Sequence, residues 1–128
     1  MSTPLYQLKA DFFKTLGHPA RILVLELLGQ REHAVSELLP VVGVEATNLS
    51  QHLAVLRRAG LVVTRKDGAA VYYSLTSPRV AELLAVARGI LTEVLSEQVG
   101  LLADLRAPLG EPDASPVAGS LVDAAVAV

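Results

Sequence analysis

Leu5, Leu8, Phe12, Phe13 and Leu16 recur at helical spacing while Lys9 and Lys14 stay off the stripe, which predicts an amphipathic helix over 5–16. Gly17 is expected to end it in a left-handed conformation. Pro19 suits the first position of a second helix, because its fixed φ is already helical and its missing N–H would have had no partner. That helix, over 19–28, is apolar except for Arg21 and Glu26, so it is expected to be the buried central one, stopped by Gly29. After a short stretch at 32–35, Ser36 with Leu38 and Leu39 begins a brief third helix, closed by Pro40 and Gly43.

A fourth helix is predicted over 45–59, with Leu49, Leu53 and Leu56 at i, i+4 and i+7 and Gly60 as its cap. Two β-rich runs, 61–66 and 69–75, flank Asp67-Gly68 and predict a hairpin. Ser77-Pro78 starts a last helix that runs to about Arg106. From Pro108 the chain is rich in Pro, Gly, Ala and Ser without periodicity. The expected organisation is a single domain over 1–107 with a flexible tail over 108–128. The predicted fold class is mainly α with a β-hairpin wing. Helix, helix, short helix, helix, hairpin, long helix is the order of a winged helix-turn-helix, with the turn at 41–44.

The fourth helix carries the candidate chemistry. Three leucines facing the core leave Thr47, Gln51, Ala54 and Arg58 on the opposite side, flanked by Asn48, Ser50 and Arg57. Amides can bond adenine edges bidentately, hydroxyls are short donors, and a small Ala permits close approach in a major groove. Arg57 and Arg58, near the helix end, suit phosphates. An ordinary solvated face usually carries Glu and Lys, whereas this one has no acid after Glu45. His52 lies beside the leucine stripe, and both a packed histidine and a DNA contact fit that position. Arg65 and Lys66 precede the hairpin turn, where a wing could lay their charges on phosphate or in a minor groove.

Overall charge changes this picture less than its distribution does. The chain has 128 residues and a formal charge of −2, but all eleven Lys and Arg lie within 1–107, against ten Asp and Glu there. Between Ser50 and Arg79 five basic residues face one acid, Asp67. Phosphates sense such local excess, since screening acts over roughly 8 Å. On charge alone, a solvated basic face remains an alternative. The absence of cysteine removes disulfides, thiolate metal sites and thiol nucleophiles. With no Gly-rich phosphate loop and no triad-like or metal-binding spacing of the three histidines, the sequence does not read as an enzyme. No membrane span or secretory leader is evident, and a cytoplasmic protein is expected.

The segments Thr-Leu-Gly-His-Pro-Ala-Arg-Ile-Leu-Val-Leu-Glu-Leu-Leu (15–28), Leu-Ser-Gln-His-Leu-Ala-Val-Leu-Arg-Arg-Ala-Gly-Leu-Val (49–62) and Arg-Lys-Asp-Gly-Ala-Ala-Val-Tyr-Tyr-Ser-Leu (65–75) resemble the ArsR/SmtB family of bacterial winged-helix regulators. The resemblance covers roughly 5–106. It implies a homodimer that binds an inverted-repeat operator on double-stranded DNA and, by default, represses transcription, activation being the other outcome. Dimerisation also has support from the last helix, where Val80, Leu84, Ala87, Leu91 and Val94 follow a 4-3 spacing, continued at Leu101 and Leu105. With Leu5 and Phe12 of the first helix, these residues form the candidate interface.

The resemblance also implies where a sensor site would lie. The family's cysteine pair falls on Ala34 and Ser36, and its last-helix ligands fall on Ser77, Arg79, Ile90 and Glu93, of which only Glu93 could bind metal. Both usual sites are therefore absent and no cofactor is called for. One alternative is a nickel- or zinc-responsive regulator using His18, His33 and Glu37, with His33 expected to be exposed. An organic effector or co-regulator in the dimer interface, and no effector at all, are the others. A third reading of the whole chain is a winged helix used only for protein contact.

Overall fold

The computed structural model describes residues 2–106, so the tail expected over 108–128 lies outside the described residues. The elements run α1 (Leu5–Leu16), α2 (Pro19–Gln30), β1 (His33–Ala34), α3 (Val35–Val42), α4 (Ala46–Arg58), β2 (Val62–Asp67), β3 (Ala70–Leu75) and α5 (Pro78–Arg106). The chain divides into two compact units, Met1–Leu84 and Ala85–Val128. No described helix is long and apolar enough to cross a membrane.

In the first unit α2 is the central helix. Val24, Leu25 and Leu28 from it pack with Leu38 of α3, Leu49, Leu53 and Leu56 of α4, and Val62 of β2 in one aliphatic core. His18 caps α2, its Nδ1 accepting the Ala20 N–H at 3.1 Å, and Pro19 occupies the first turn. Two expected helix ends differ. Gly17 does follow α1, but at φ −75°, not in the left-handed region. Gly29 does not stop α2, which continues to Gln30. A Cβ at Gly29 would lie 3.1 Å from Cβ of Ala81 at the start of α5, so this glycine provides close helix approach.

Pro40, expected to close α3, sits inside it, and the helix ends at Gly43 with φ +73°. Proline forfeits one helical N–H bond there, which a short, partly exposed helix tolerates because its burial rests on Leu38. The connection to α4 is therefore residues 43–45, displaced toward the C-terminus from the expected 41–44. α4 ends as expected at Gly60, φ +79°, in a Schellman motif: Gly60 N–H bonds the Arg57 carbonyl and Leu61 N–H the Leu56 carbonyl, each at 3.0 Å.

The hairpin is part of a three-stranded antiparallel sheet ordered β1-β3-β2. β1, with two residues, is too short for an alternating pattern to mark it in the sequence. It pairs His33 with Tyr73 and Ala34 with Tyr72. The turn is centred on Gly68-Ala69, one residue beyond the expected Asp67-Gly68, because Asp67 pairs with Ala70. Only Gly68 has positive φ, at +61°, the pattern of a II′ turn. Thr76 then donates from its hydroxyl to the Gly60 carbonyl at 2.8 Å, and from its N–H to the Leu61 carbonyl at 3.1 Å, fixing the hairpin's exit to the end of α4.

Candidate nucleic-acid interface

The inward side of α4 is fully seated. Leu49, Leu53 and Leu56 are 0%, 2% and 0% exposed. Because the helix turns 100° per residue, this anchoring fixes what faces out. Thr47, Asn48, Ser50, Gln51, Ala54, Arg57 and Arg58 are all exposed. No side-chain hydrogen bond or ion pair ties up any of them among the described residues. Glu45 stands at the N-cap position without a side-chain capping bond, and the two arginines occupy the last turn, where cations also favour the negative end of the helix dipole.

His52 has partners inside the protein. Arg21 Nε donates to its Nδ1 at 3.2 Å, and its ring lies 4.2 Å from that of His18. A donated bond at Nδ1 places the proton on Nε2 and keeps the ring neutral. Partial burial, with the charges of His18 and Arg21, lowers its pKa below 6.5. Arg21 also donates from Nη1 to the Thr15 carbonyl at 3.0 Å, so one guanidinium joins α1, α2 and α4. Its edge borders an open depression lined by Asp11, Lys14, Thr15, Gly17 and His18. The sequence signal for this role was the one basic residue of a helix that is otherwise nearly all apolar.

On the wing, Lys66 is exposed and outside every described ion pair. Arg65, expected with it to meet phosphate or a minor groove, is paired with Glu32, which precedes β1. Glu32 had no assigned role, and its separation from Arg65 in sequence left no local signal.

The residues weighed for metal have other partners. His18 Nδ1 is occupied by the α2 cap. His33 is buried, 6% exposed, correcting the expectation that it faces solvent, because β1 pairing turns it inward. Its Nδ1 donates to the Arg31 carbonyl at 2.9 Å. Glu37 accepts the Ala34 N–H and an Arg31 N–H, each at 2.9 Å, and these two bonds, the backbone one first, lower its pKa. The first is half of a capping box, since Ala34 has no side-chain acceptor to return the bond. Among the described residues no three His, Cys, Asp or Glu cluster as a metal site requires.

Of the candidate interface residues, Val80 belongs to the protomer's own core at 7% exposed, and a partner cannot reach it. Phe12 and Leu84 are partly buried against that same core. Leu5 is exposed on α1, as are Ala87, Leu91 and Val94 on the second unit's part of α5. Val86, Ile90, Leu101 and Leu105 are exposed there too.

A helix-turn-helix followed by a hairpin, with an exposed face of amides, hydroxyls and guanidinium groups on its second helix, defines a winged helix-turn-helix DNA-binding regulator. The model of the bacterial regulatory protein arsR family matches residues 18–64. The HTH-type transcriptional regulator Rv0081 of Mycobacterium tuberculosis is 62% identical over 107 residues, covering 83% of this chain and 94% of the relative. Its crystal structure matches with TM-score 0.72 over 77% of this chain and 99% of that one. The transcriptional repressor BigR of Xylella fastidiosa is similar at TM-score 0.62 and 35% identity, covering 66% and 87% of the two chains. The homodimeric winged helix-turn-helix DNA-binding domain Mb0332 of Mycobacterium bovis matches at TM-score 0.65 and 32% identity, covering 73% and 86%. The chain belongs to the arsR family and is a DNA-binding transcriptional regulator.

Proposed function

We propose that this regulator acts as a homodimer that sets one α4 in each of two successive major grooves of an inverted-repeat operator and represses transcription there. Thr47, Asn48, Ser50 and Gln51 read base edges, while Arg57, Arg58 and Lys66 contact phosphates. The observation that carries this reading is the outward face of α4, held in place by three buried leucines and free of competing intramolecular bonds. His52 serves the packing of α4 on α2 instead of touching DNA. The dimer forms through Leu5 of α1 and through Ala87, Leu91 and Val94 of α5, whose exposed apolar side chains need cover. The homodimeric state of Mb0332 supports the same assembly.

The test is selection of bound duplexes from random DNA, repeated with nickel, zinc and a chelator. Recovery of an inverted repeat whose two halves lie about one helical turn apart is expected. Its affinity should fall about 10³–10⁵-fold between 50 and 200 mM salt if 6–10 phosphates are contacted. Recovery of no common sequence would remove the operator-reading role from α4.

A further inference from the structure

The outer face of the sheet holds a tether that runs from β2 past β3 to the residue just before β1. Arg65 of β2 pairs in register with Tyr72 of β3, and Tyr72 pairs with Ala34 of β1. Side chains two residues apart share a face, so Arg65, Tyr72 and Glu32 lie on the same side. The Arg65 guanidinium carbon sits 4.5 Å from the Tyr72 ring centroid. Its Nε donates to Glu32 Oε2 at 3.0 Å and its Nη2 to Glu32 Oε1, a fork that matches both carboxylate oxygens. Asp67 Oδ2 stands 3.9 Å from Nη1 on the third side. The Glu32 pKa is lowered, first by this hydrogen bond, so the carboxylate is charged wherever DNA binding is measured near neutrality.

We infer that Glu32 withholds Arg65 from DNA and so sets the strength of the wing's grip, leaving Lys66 as the wing's phosphate contact. The inference rests on the DNA-binding reading. A phosphate approaching Arg65 meets a guanidinium that already spends two of its five donors on Glu32 and lies against the Tyr72 ring. It also meets the charges of Glu32 and Asp67. The cost of extracting Arg65 therefore falls on any duplex, whatever its sequence. Being exposed, the pair contributes little to folding, and its removal leaves the core untouched.

The test compares the wild type, Glu32→Gln, Arg65→Ala and the double variant on the selected operator and on a mixed-sequence duplex across the same salt range. Glu32→Gln should bind both duplexes more tightly, and the log–log salt slope should steepen by about 0.9 per protomer as one more phosphate is neutralised. At 0.1 M salt that is a gain of roughly eightfold per protomer. Arg65→Ala should leave the wild-type slope unchanged yet abolish the gain in the double variant. Unchanged affinity and slope in Glu32→Gln would overturn the inference. So would an Arg65→Ala loss as large in the wild type as in the Glu32→Gln background. Weaker binding of Glu32→Gln with a lower thermal midpoint would mean that the pair only staples the sheet, which also overturns it. If the wild type binds neither duplex, the DNA-binding reading itself fails.

Discussion

Arg21 Nε lies 3.2 Å from Nδ1 of His52, which joins the start of the central helix α2 to the middle of α4. The bond requires neutral histidine, and burial together with the charges of His18 and Arg21 lowers the His52 pKa below 6.5. A histidine lowered on folding takes up more protons when unfolded, so its contribution to stability is present above about 6.5 and is lost as pH falls through its folded value. Thermal midpoints of the wild type should thus drop as pH falls below about 6.5. His52→Gln, which keeps a polar group without the titration, should show a shallower drop. Parallel curves for the two proteins would remove His52 from this role.

Gly29 makes a different demand, because its missing Cβ admits Ala81. Gly29→Leu would force side-chain carbons into a contact that is already tight at Cβ, and a loss of about 1–3 kcal/mol is expected in urea denaturation. Gly29→Ala sets a gain in helix propensity of roughly 1 kcal/mol against that crowding, so it should come out far milder than Leu. Equal stability of the Leu variant and the wild type would mean that α5 shifts freely at Ala81.

How far these features were legible follows from the range of the signals. Helical periodicity is local, so α1, α4 and the length of α5 are readable from leucine spacing, and the outward face of α4 follows from its inward one. Gly29 and Pro40 mislead because a residue's usual role as a helix stop is overridden by a tertiary contact in one case and by a buried neighbour, Leu38, in the other. The Glu32–Arg65 pair and the Arg21–His52 bond join residues more than thirty positions apart, and no local pattern marks them. Val80 shows a related limit: a 4-3 stripe tells which residues share a face, not whether the protomer or a partner covers it.

On α4, base reading and phosphate contact predict different losses. Gln51 is exposed, so Gln51→Ala should leave folding intact while costing about 1–3 kcal/mol per half-site on the selected operator, with little change on a mixed-sequence duplex. Arg57→Ala should weaken both duplexes alike and reduce the salt slope by about 1. Filter-binding or gel-shift titrations on the two duplexes distinguish these outcomes. An equal loss on both for Gln51→Ala would move it from the base-reading set to the phosphate set.

The dimer prediction turns on Leu91, which is 55% exposed on the part of α5 belonging to the second unit. An exposed leucine alone means little, but Ala87, Leu91, Val94, Leu101 and Leu105 recur along one stripe of the helix, and all are exposed. Leu91→Glu would place a carboxylate from each subunit in that seam, where burial without a partner is costly. Sedimentation should then show monomers, and operator affinity should fall steeply because two half-sites are no longer engaged together. Val80→Ala offers the contrasting case: Val80 packs inside the protomer, so the loss should appear as a lower unfolding midpoint while the folded protein remains dimeric. A dimeric Leu91→Glu protein would place the interface on α1 and Leu5, away from this stripe.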